Sequence, residues 1–104
     1  MIFRRARFSD VIERQLALFR TEEAELIRSC EAAELEYGAA PREEAEERYG
    51  AYVDLVEEGT EALAEIRDAF KRTLDDDTAE AYEAAFNKAV KKRLPRFGLE
   101  IDLR

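Results

Sequence analysis

Residues 10–37 read DVIERQLALFRTEEAELIRSCEAAELEY, and the spacing of their apolar positions decides the fold. Ile12, Leu16, Phe19, Glu23, Leu26, Cys30, Ala33 and Tyr37 step by four and three in strict alternation. That is the spacing of a helix seam packed in the coiled-coil manner. A second stripe with the same rhythm follows: Ala45, Tyr49, Tyr52, Val56, Gly59, Leu63, Ile66, Phe70. Between them, Gly38-Ala39-Ala40-Pro41 places a helix-ending glycine before a helix-starting proline. The pattern predicts an all-α fold built on a long antiparallel helical hairpin, with helices over 9–37 and 41–74.

Composition agrees. The chain has 104 residues, the length of one domain. Gly and Pro are scarce, at 4 and 2 copies, while Ala, Glu, Leu and Arg, all strong helix formers, dominate. The net charge of -8 repels a nucleic-acid backbone, so no nucleic-acid partner is expected. No run approaches the roughly 20 apolar residues that a membrane span needs. Met1-Ile2-Phe3-Arg4-Arg5-Ala6-Arg7 is basic like the start of a signal peptide, but no unbroken apolar segment follows it, and the expected location is cytoplasmic. A single cysteine, Cys30, excludes an internal disulfide framework. The absence of histidine removes the commonest general base and metal ligand. A non-enzymatic protein without cofactor is predicted.

The remaining segments are read from their own signals. Residues 1–8 form a basic arm, with Arg4, Arg5 and Arg7 among Ile2, Phe3 and Phe8. Its apolar residues are expected to fold back on the end of the bundle. Ser9 is the expected cap of the first helix. Gly59 costs about 1 kcal/mol inside the second helix, yet the apolar phase runs through it, so that helix should continue, with a bend there at most. Asp77-Thr78-Ala79-Glu80 has the spacing of a capping box, which starts a third helix over 77–94. Pro95 ends it. In 95–104, Phe97, Leu99, Ile101 and Leu103 alternate with polar or small residues. That period of two predicts an extended tail able to dock on a partner.

Folding the hairpin about its turn sets Cys30 against Tyr52, Leu26 against Val56, Phe19 against Leu63 and Ile12 against Phe70. Glu23 then faces Gly59, which makes a polar notch in the seam. The third helix is about half as long as the second, so Lys91, Lys92 and Arg93 should reach Glu57, Glu58 and Glu61. The half of the hairpin near the turn is left with one neighbour only. Its apolar residues Leu26, Ile27, Cys30, Tyr37, Tyr49, Tyr52, Val53 and Val56 are the predicted self-interface, and a homodimer would complete a helical bundle.

Three functions from different classes follow. The favoured one is a homodimeric interaction or assembly module that presents helix faces or its tail to another protein. The second is a carboxylate-based bundle that binds a hard cation, with Glu22, Glu23 and Glu58 as candidate ligands. The third is a small secreted helical hairpin. In length, acidity and hairpin form, the chain is similar to the small helical substrates of type VII secretion. It departs from their Trp-x-Gly turn: it has no Trp, and its turn reads Tyr37-Gly38-Ala39-Ala40-Pro41.

Overall fold

The computed structural model describes residues 7–104, and among these every regular element is helical. We number the α-helices α1 (Ser9–Glu22), α2 (Ala24–Ala39), α3 (Ala45–Lys71), α4 (Asp76–Arg93) and α5 (Gly98–Ile101). Short 3-10 turns, Arg42–Glu44 and Pro95–Phe97, precede α3 and α5. The body is elongated, 52 × 24 × 23 Å. Residues 1–6 of the basic arm lie outside the described residues.

The helix expected to run unbroken over 9–37 bends at Glu23, whose φ of -107° and ψ of 28° leave the helical range. Two ladder bonds still pass through Glu23 itself: its N–H donates to the Phe19 carbonyl at 2.8 Å, and its carbonyl accepts from the Ile27 N–H at 2.9 Å. The burial pattern keeps its phase across the bend. Ile12, Leu16 and Phe19 on α1, and Leu26, Cys30 and Ala33 on α2, are all buried along one continuous side. The Thr21 hydroxyl donates to the Ala17 carbonyl one turn back, a bond that tends to bend helices.

Helix α3 passes through Gly59 without interruption, as the apolar phase predicts. Two caps differ from expectation. Helix α1 starts at Ser9 itself, with Phe8 in the cap position. Helix α4 is capped by Asp75, not Asp77: the Asp75 carboxylate accepts from the Thr78 N–H at 2.8 Å, so the helix starts at Asp76. That hydrogen bond also holds the Asp75 carboxyl below its usual pKa.

The core joins α1, α3 and α4. Leu16, Phe19, Leu63, Tyr82, Phe86 and Val90 are fully enclosed. Near the α3–α4 connection, Tyr82 meets the rings of Phe70 at 4.7 Å and Phe8 at 5.6 Å. Its hydroxyl donates to the Gln15 side chain at 2.7 Å.

The largest departure from the sequence reading is in 95–104. The expected extended tail is instead a 3-10 turn followed by the single turn of α5, folded onto α3 and α4. Phe97 and Ile101 are core residues, 2% and 0% exposed.

Candidate interaction surfaces

The most elaborate polar arrangement in the molecule is the clasp that holds residues 95–104. Arg67 on α3 is 1% exposed. Its Nη1 donates to the Asn87 side-chain oxygen at 3.1 Å and to the Ile101 carbonyl at 3.3 Å. Its Nη2 donates to the Arg104 backbone oxygen at 2.9 Å, and its Nε to Asp68 at 2.9 Å. A planar guanidinium suits this task because its donors point in fixed, diverging directions. Asn87 in turn donates to Asp102, which also pairs with Lys91. Among the described residues, no buried side-chain nitrogen or oxygen lacks a partner.

Phe97 anchors the same segment by shape. Its ring lies edge-on to Phe19 with centroids 5.6 Å apart, and it fills the space beside Gly59. The layer at Gly59 is thus occupied by an aromatic ring, not by Glu23, which sits half-buried in the bend. One residue earlier, Arg96 pairs with Glu34 at 3.1 Å and donates to the Tyr52 hydroxyl at 3.2 Å. Its guanidinium also lies 5.8 Å from the centre of the Tyr52 ring.

This segment supplies α2 and α3 with a neighbour that the sequence reading did not assign to them. Of the residues expected at a self-interface, Leu26, Cys30 and Val56 are buried within the chain itself. Ile27, Tyr52 and Val53 are half-buried, while Tyr37 and Tyr49 are exposed. The two exposed rings touch, with centroids 5.0 Å apart. Burial also pushes the Cys30 thiol above its usual pKa of 9.0, with Arg96 opposing. Of the residues expected to dock the tail on a partner, Phe97 and Ile101 face inward, and Leu99 and Leu103 stand in water.

Charge is distributed differently from expectation. The basic end of α4 does not meet the carboxylates of α3: Lys91 pairs with Asp102, and Arg93 approaches Glu13 at 3.8 Å. Glu61 instead receives Arg104. Glu23, Asp54, Glu57, Glu58, Glu61 and Glu65 line a shallow groove of about 550 Å³ along α3. Glu22, the third candidate metal ligand, is exposed at the end of α1. Among the described residues, no three His, Cys, Asp or Glu side chains converge in a geometry that could hold a metal ion.

The fold and its surfaces define a helical protein in which no described helix is long and apolar enough to cross a membrane. No family model, curated protein or solved structure matches the chain.

Arg67, Asn87 and the anchoring role of Phe97 are absent from the sequence reading. A signal for Phe97 was present in its spacing from Ile101, since four residues is one helical turn as well as two strand repeats.

Proposed function

We propose that the chain is a non-enzymatic assembly module, in which an antiparallel helical hairpin pairs with a second copy and offers its other helix surfaces to a protein partner. One observation carries this reading. Among the described residues, the fold leaves six large apolar side chains in water, on helix surfaces or just beyond them. Leu18 and Leu35 stand on α1 and α2, Tyr37 and Tyr49 at the α2–α3 end, and Leu99 and Leu103 on and beyond α5. Covering such side chains is what association with another chain would gain.

Solution mass measured by light scattering over a concentration series is the test. A dimer is expected from low micromolar concentration upward. A monomeric mass at several hundred micromolar overturns the reading.

A further inference from the structure

The side of α1 and α2 that faces away from the core carries a second, self-complementary stripe. It consists of the residues two places after each core position: Arg14, Leu18, Thr21, Glu25, Arg28, Ala32, Leu35 and Ala39. Two residues along a helix correspond to about 200°, so this stripe lies opposite the buried one. Every one of its residues is exposed. It holds both exposed leucines of these helices, Leu18 at 52% and Leu35 at 76%. Because the buried positions keep their four-three spacing on both sides of Glu23, the exposed stripe keeps its phase across the bend.

We propose that this outer face is a homodimer interface in which α1–α2 of one copy lies antiparallel along α1–α2 of a second copy. The inference rests on the dimeric reading above and names the surface that would carry it. An antiparallel two-fold axis between Glu25 and Arg28 pairs every member of the stripe with another. Leu18 meets Leu35 of the second copy, and Thr21 meets Ala32. Glu25 meets Arg28, and Arg14 meets Ala39. Each layer brings an a-type position against a d-type position, as antiparallel seams require. The two leucines left in water are about 25 Å apart, and the two-fold axis buries both against each other at once.

Charge selects this orientation. Among the described residues, neither Glu25 nor Arg28 makes an ion pair within the chain. The antiparallel arrangement joins them across the axis, twice by symmetry. A parallel pairing would instead stack Glu25 on Glu25, Arg28 on Arg28 and Arg14 on Arg14, and like charges in contact are repulsive. The flanking positions agree. Glu22 falls beside Ser29, Gln15 beside Glu36 and Ala24 beside Glu31, so no flank sets like charges together. Ala17, Ala24 and Gly38 leave room for close approach of the backbones.

The test is sedimentation equilibrium on the full chain, with circular dichroism confirming that each variant is folded. Glu25→Arg sets like charges across the axis and is expected to weaken the dimer by about tenfold or more. Adding Arg28→Glu restores opposite charges and should return the dissociation constant to near the wild-type value. Leu35→Lys places a charge in the apolar layer and is expected to give a monomer. A wild-type dimer unaffected by Glu25→Arg and Leu35→Lys overturns this interface and leaves dimerisation standing. A wild-type monomer overturns both.

Discussion

The ring of Phe97 occupies the volume that any side chain at residue 59 would need. A β-carbon built on Gly59 falls 2.4 Å from Cε1 of that ring and 2.9 Å from Cζ. The ring is held by Phe19 and cannot step aside freely. Glycine at this position thus serves a contact between elements 38 residues apart in sequence, at the expense of helix propensity.

Gly59→Ala should therefore destabilise the protein by about 1–3 kcal/mol, even though alanine is the better helix former. Pairing it with Phe97→Leu should recover part of the loss. Urea midpoints of the wild type and the two variants decide the matter; a more stable Gly59→Ala protein would mean that the ring does not sit against α3 in solution.

Arg67→Ala leaves the Ile101 carbonyl, the Arg104 backbone oxygen and the Asn87 side-chain oxygen without their donor. The expected loss is roughly 3 kcal/mol. Hydrogen exchange should show it locally, with the amides of 97–104 losing protection before those of α3. Arg67→Lys should recover little, since an ammonium cannot reproduce the guanidinium fork.

Burial pushes the Tyr82 hydroxyl up from its usual 10 to about 12. A folded-state pKa above the unfolded value means that the contribution is fully present below pH 10 and is lost as pH rises from 10 through 12. The loss reaches about 3 kcal/mol at most. Tyr82→Phe should remove this alkaline decline while lowering neutral-pH stability by about 1 kcal/mol. Thermal melts at successive pH values between 8 and 11.5 measure both effects.

The Asp75 cap gives a shift of the opposite sign at low pH. Its carboxyl is held below the usual 3.8 by the Thr78 N–H, so its contribution is present above that value and is lost as pH falls through the lowered pKa. Asp75→Asn keeps an acceptor for the Thr78 N–H and should flatten the acid limb of the stability curve. A wild-type and variant pair of melting curves from pH 7 down to 2.5 checks this.

Cys30 is wholly enclosed, and its thiol is pushed up by burial. Reaction with an aromatic disulfide reagent at pH 8 should be at least about a hundredfold slower in the native protein than in urea. Rapid labelling of the native state would contradict the enclosure.

The sequence announces the long helices because each apolar seam repeats over many turns, and a period sustained that long has one interpretation. Its phase even carries α3 through Gly59 and carries the buried stripe through the bend. The bend itself is invisible, because Glu23 keeps its place in the repeat and only its backbone angles depart. Residues 95–104 are misread for the reverse reason. Over so short a stretch, Phe97 and Ile101 satisfy a strand repeat and a helical turn equally, and what decides between them is the notch at Gly59 and the donors of Arg67. Arg67 is hidden in turn because nothing in the spacing of α3 separates a solvated arginine from one that a later segment covers. The expected self-interface shares this origin: with 95–101 treated as a free tail, Leu26, Cys30 and Val56 seem to lack a cover that the chain itself supplies.

The Arg67 clasp also bears on the order in which the protein can be completed during synthesis. A nascent chain that has reached only α4 has made the seams of α1, α2 and α3, yet it holds an open slot beside Gly59 and a guanidinium with two missing acceptors. Both defects are repaired by the segment translated after Pro95. Chains interrupted before that point would show an open apolar slot next to a guanidinium that keeps Asp68 and Asn87 but lacks its other two acceptors.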